Sequence, residues 1–231
     1  MLKARKKISQ KELKQDKLVT TYFQSKDWFS VPENKKKVTI GVGILIVLIV
    51  AGFFYTSNRK AKNEEAETKL SAVINLYDAG KYPEAMNGDP ATGITGLKDI
   101  VANYGSTESG ETAKLYLGNC YFNTNDFDNA LKQFDSYSGN NDIIKASCIS
   151  GTGAVYEAKG DNKKAAEFFE KAAKVNKDLV TNQENYFYAL RAFTAAGDKE
   201  NARRMFKALK DEYPKSKYIA ESKRFEPEFK N

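Results

Sequence analysis

LGNCYFNTNDFDNALKQF, residues 117–134, decides the fold, because the chain returns to the same pattern twice. TGAVYEAKGDNKKAAEFF follows at residues 152–169 and ALRAFTAAGDKENARRMF at residues 189–206. Gly118 aligns with Gly153, an interval of 35 residues. Tyr121, Tyr156 and Phe193 share a phase; so do Asp126, Asp161 and Asp198, then Ala130, Ala165 and Ala202, then Phe134, Phe169 and Phe206. The last interval is 37, which predicts a slightly longer loop near residues 176–182. Internal periods of this length mark stacked supersecondary units. Gly160-Asp161 and Gly197-Asp198 each end one helix in a conformation glycine tolerates and offer an acidic cap to the next. Asn125-Asp126 does the same in the first unit. One helical pair cannot bury its own apolar face, so the units stack. The expected class is all-α, an α-solenoid.

These residues resemble the tetratricopeptide repeat, in which helix A carries a small residue and then an aromatic, and helix B carries Ala, an aromatic and a second Ala before a closing Pro. Gly118 and Gly153 are the small residues, Tyr121, Tyr156 and Phe193 the aromatics, Ala172 the second Ala and Pro214 the closing Pro. Leu190 replaces the small residue in the third unit, Tyr137 and Leu209 replace the second Ala, and the family's early Trp is absent. The reading divides residues 59–231 into units at about 66–104, 111–145, 146–182 and 183–216, then a capping helix near 217–225 and a loose tail, residues 226–231. The first unit is degenerate: Ala85 holds the helix B position, and residues 87–96, rich in Gly, Asp, Pro and Thr, interrupt it.

Residues 38–58 contain no charged side chain in 21 positions, between Lys35-Lys36-Lys37 and Arg59-Lys60. At about 1.5 Å per residue they span roughly 30 Å, a bilayer's hydrocarbon thickness. The expected architecture is therefore a single transmembrane helix followed by the solenoid. A cleaved signal peptide would start nearer residue 1 and have a shorter apolar core; a buried core helix is the other alternative. The tail, residues 1–37, holds eleven Lys or Arg against four Asp or Glu, which accounts for the whole chain's net charge of +7. The remaining residues balance, so the basic pI does not point to nucleic acid. The positive-inside rule places the tail in the cytoplasm and the C-terminal part outside it. Ser9-Gln10-Lys11-Glu12 has the form of a capping box, with Ile8 and Leu13 as its staple. Leu13, Val19, Tyr22, Phe23 and Phe29 then recur at near-helical spacing. A basic amphipathic helix lying on membrane lipid and a solvated helix that only sets topology both fit.

The chain has no His, which removes the commonest general base and metal ligand. Two Cys are too few for a structural zinc site, and by the repeat register Cys120 and Cys148 lie too far apart to bridge. Gly151-Thr152-Gly153 lacks the third Gly and the strand of a dinucleotide site. Abundant carboxylates read as solvated helix faces. No enzyme, cofactor or metal is expected.

The resemblance to tetratricopeptide repeats implies a concave groove lined by helix A, suited to an extended segment or a helix of a partner. Leu115, Asn119, Phe122, Glu157, Phe187 and Arg191 are the candidate protein-binding residues. The alternative is that the capping helix or the stretch 61–76 occupies the groove. The order of parts also resembles the bacterial ancillary subunit of the Sec translocon, in which a short cytoplasmic segment and one span precede a periplasmic tetratricopeptide domain. KYPEAMNGD, NYGSTESGETAKLYLGNCYF and DEYPKSKY look like the envelope-associated branch. That resemblance implies an inner-membrane, single-pass scaffold contacting the translocon and exported proteins. A structural organiser of a cell-envelope complex, in division or outer-membrane assembly, is the alternative.

Overall fold

The computed structural model describes residues 17–229, and the chain divides into two compact units, Met1–Asn58 and Arg59–Asn231. In the first, α1 (Lys17–Ser30) precedes α2 (Pro32–Asp78). Pro32 suits a first helical turn, where its missing N–H costs nothing. The Asn34 side-chain amide donates to the Trp28 carbonyl at 2.9 Å and ties the break between the helices. Tyr22 and Phe23, and Trp28 and Phe29, meet edge to face and are exposed. Within residues 38–58 no side chain is buried; Phe53 and Phe54 are each 68% exposed. α2 is long and apolar enough to cross a membrane by length and composition. The capping box and staple at residues 8–13 lie outside the described residues.

The second unit begins with residues 59–78 of α2. Ala66 and Val73 are fully buried there, Asn63 Oδ1 accepts the Ser109 amide at 2.9 Å, and Tyr104 donates its hydroxyl to Glu65 at 2.6 Å. The stretch 61–76 therefore packs against residues 85–120, and none of its residues lines the cleft between Leu115 and Arg191. Its partners are α3 (Tyr82–Asn87) and α4 (Leu97–Tyr104). The interruption between them is a short antiparallel ribbon, β1 (Gly88–Asp89) with β2 (Ile94–Thr95), in the register Gly88 to Thr95.

Three helical hairpins follow: α5 (Glu108–Asn123) with α6 (Phe127–Asp135), α7 (Asp142–Ala158) with α8 (Asn162–Ala173), and α9 (Asn182–Ala195) with α10 (Lys199–Glu212). Each inner turn repeats one device. Asn125, Gly160 and Gly197 have φ of 60°, 83° and 73°. The next amide, of Asp126, Asp161 or Asp198, reaches back to the carbonyl of Tyr121, Tyr156 or Phe193 at 2.8–3.0 Å. Each Asp then caps the following helix, accepting from Asn129, Lys164 or Asn201. Local caps also set where helix A starts. Thr107 accepts from Gly110, and Asn141 from Ile143 and Ile144. α5 and α7 therefore begin three and four residues ahead of the repeat edges drawn at 111 and 146.

The core runs as three successive clusters, centred on Leu70, Val73, Ile100 and Leu117, then on Phe134, Cys148 and Val155, then on Phe169, Phe193, Met205 and Phe206. This linear succession is an α-solenoid. Both cysteines are free and buried, and burial pushes each thiol up to about 12. After α10 come α11 (Tyr218–Ser222), a 3₁₀ turn (Lys223–Phe225) and α12 (Glu226–Phe229). The part of the tail within the described residues, 226–229, is anchored and not loose: Phe229 is 2% exposed, packs on Phe206 at 5.7 Å, and its carbonyl accepts from Arg203.

Candidate protein-binding groove

α5, α7 and α9 each turn one face toward a shared groove of about 530 Å³. Residues three and four apart share a helix face, so α5 contributes Leu115, Tyr116 and Asn119, and α7 contributes Ser147, Ser150, Ala154 and Glu157. α9 adds Glu184, Asn185, Tyr188 and Arg191. Gly151 lies in the same register as Tyr116 and Tyr188, one interval before or after, so a position with no side chain separates two tyrosines.

The groove's charges are satisfied internally. Arg191 grips Glu157 through two bonds, Nε to Oε1 at 3.2 Å and Nη2 to Oε2 at 2.6 Å, and its guanidinium lies 5.2 Å from the Tyr188 ring centre. Glu184 Oε1 accepts two hydroxyls, from Tyr188 at 2.7 Å and Tyr218 at 2.8 Å. Burial first, then that bond to a carboxylate, raises Tyr188 well above the ordinary phenol range. Burial raises the Tyr77 phenol, and the Asn119 side chain beside it partly offsets that effect. Asn185 is 4% exposed and lines the groove, and the fold supplies its carboxamide with no hydrogen-bond partner among the described residues. The arrangement suits main-chain hydrogen bonding beside aromatic and aliphatic contacts, with Glu184 the groove carboxylate that has no basic partner among the described residues.

Four of the six residues singled out in the sequence come together here: Leu115, Asn119, Glu157 and Arg191. Two do not. Phe187 is 4% exposed because Tyr218 of the capping segment stacks on it, centroids 5.1 Å apart and planes 23° apart. Phe122 is half-buried against Phe127 at 5.9 Å, since α5 ends one residue later and the next helix folds back over it. The capping segment thus covers the third unit's end of the groove, while the rest is open. Tyr116, Asn185 and Tyr188 were missed. Tyr188 and Arg191 continue the helical face begun by Glu184, a spacing that would have found Tyr188. No signal in the repeat shows that Phe187 is covered by a segment 31 residues further on.

The tetratricopeptide repeat-like domain family matches residues 26–147, and the tetratricopeptide repeat family matches residues 187–216. No curated protein matches the chain. Among solved structures, the Podosopora anserina kinesin light chain nearly identical TPR-like repeats are similar at 13% identity, covering 72% of this chain and 87% of that one, with a TM-score of 0.54. A point-substituted form of those repeats aligns at 12% identity over the same shares, with a TM-score of 0.55. At such identities the likeness is one of fold. The family match covers more than half of the residues, and the chain belongs to the tetratricopeptide repeat-like domain family.

Proposed function

We propose that this protein is a membrane-anchored scaffold that holds an extended segment or a helix of a protein partner in the groove between α5, α7 and α9. The observation that carries this is the groove's chemistry. Arg191 and Glu157 neutralise each other and Glu184 is held by two tyrosine hydroxyls, while a nearly buried carboxamide, Asn185, and the aliphatic surface of Leu115 and Ala154 are left for a ligand. Residues 38–58 serve as the anchor, with the basic tail against membrane lipid in the cytoplasm and the repeats on the far side. The uniform exposure of this apolar stretch supports that role over one in a soluble core. The same order of parts supports an ancillary translocon factor contacting exported chains. No catalytic role enters the reading.

Two measurements test it together. Protease protection of tags at Met1 and Asn231 reads the orientation; a protected N-terminus and an accessible C-terminus in spheroplasts are expected. Photocrosslinkers at Leu115 and Ser150 are expected to capture translocon subunits or exported chains, and crosslinkers at exposed Val180 are not. A cytoplasmic C-terminus, or equal capture from all three positions, would overturn the reading.

A further inference from the structure

The outer side of the solenoid has a second cleft, of about 410 Å³, between α6, α7 and α8. Ligand pockets fall in the range of roughly 300–1,000 Å³. Its floor is apolar, from Leu131 and Phe134 on α6, Ile149 on α7 and Phe168 on α8. Lys132, Lys145 and Lys171, one from each helix, stand around it with Asp135 as the sole acid in the lining. None of the three lysines forms an ion pair among the described residues, although nine other basic side chains do. The cleft continues past Lys145 and Lys171 toward Glu167 and Lys174; Glu170 there is already held by Lys174 and Arg204. Three ammonium groups without an ion-pair partner, with one carboxylate among them, contrast with the concave groove, where Arg191 is paired with Glu157.

The geometry points to a second protein-binding site on this outer face, taking a short acidic peptide segment that carries a Phe or Leu between carboxylates. The apolar side chain fills the floor, and the flanking carboxylates reach the lysines. Nucleic acid fits less well, because stacking bases need open ring faces. Tyr156 is stacked on Phe168 at 5.4 Å with planes 12° apart, Lys164 stands 5.1 Å from the Tyr156 centre, and Lys171 5.8 Å from that of Phe168. The site is separate from the concave groove and independent of the function proposed for it.

The test selects a displayed library of random heptapeptides against the full chain and, in parallel, against K132E/K145E/K171E, whose circular dichroism reports retained folding. Selection on the native chain is expected to enrich Asp and Glu around Phe or Leu. A synthetic copy of a selected peptide should bind the triple variant at least about tenfold more weakly, and weaken as salt shortens the Debye length. Neutral K132Q/K145Q/K171Q should fall between, and Arg191→Ala in the other groove should leave the affinity unchanged. Selected peptides without acidic excess, or bound equally by the triple variant, would overturn the proposal. So would an oligothymidylate that binds the full chain more tightly than the peptide and is lost with the same three lysines.

Discussion

Gly118 carries no side chain because none fits. A Cβ there would stand 2.5 Å from Cε1 of Phe134, and one on Gly151 would stand 2.6 Å from Cζ of the same ring. Phe134 is 4% exposed and lies between Gly118 on α5 and Gly151 on α7, so a Cβ at either position would force the ring to shift. Gly118→Ala is expected to cost about 1–3 kcal/mol through overpacking, read as a lower urea midpoint with an unchanged slope. Phe134→Leu added to it should recover part of the loss; no recovery would place the strain elsewhere. Gly118 was legible in the sequence because it recurs as Gly153. Gly151 was not, since its register is held by Tyr116 and Tyr188 in the neighbouring units. Its role is specific to one interface, and a repeat pattern reveals only what every interface shares.

At the scale of elements, the turns could be read because they are local: Asn125-Asp126, Gly160-Asp161 and Gly197-Asp198 need nothing beyond their own hairpin. Contacts made by the connecting loops could not. The sequence reading treats carboxylates as solvated, yet Glu111 on α5 is 7% exposed. The loop after α6 folds over it: Ser138 donates its amide and hydroxyl, each at 2.8 Å, and Lys114 its ammonium at 2.7 Å while also reaching the Ser136 carbonyl. Burial alone would raise the carboxyl, but the bonds from Lys114 and Ser138 outweigh it and hold Glu111 below the usual range. Arg204, bonded to Glu170 from α10, does the same across the next interface. A depressed folded pKa adds stability that is complete above the unfolded value of about 4.3 and is lost as pH falls through the folded one. Unfolding free energy should therefore decline below about pH 4.5. Glu111→Gln should cost about 3 kcal/mol at neutral pH, leaving the largely covered Lys114 ammonium without its carboxylate, and should flatten the acid slope. An acid limb as steep in the variant as in the native chain would mean that Glu111 titrates as an exposed group.

For the whole molecule, a solenoid's ends are its weak points, because a terminal unit has a neighbour on one side only. This chain closes its C-terminal end with Tyr218, which stacks on Phe187 and donates to Glu184, and with Phe229 seated on Phe206. Burial, and then the Glu184 carboxylate, pushes the Tyr218 hydroxyl up to about 12. The sequence placed a capping helix here without showing what it covers, since Phe187 and Tyr218 share no repeat register. Tyr218→Phe removes only the hydroxyl bond and is expected to cost about 1 kcal/mol. Tyr218→Ala also uncovers Phe187 and should cost about 2–3 kcal/mol. Nearest-neighbour coupling makes the loss local. By hydrogen exchange and mass spectrometry, amides of α9 and α10 should exchange faster in Tyr218→Ala, those of α5 and α6 should stay as protected as before, and α7 and α8 should fall between. Equal loss of protection from α5 to α10 would show instead that the repeats open as one block, and that the cap stabilises the entire groove and not only the end it covers.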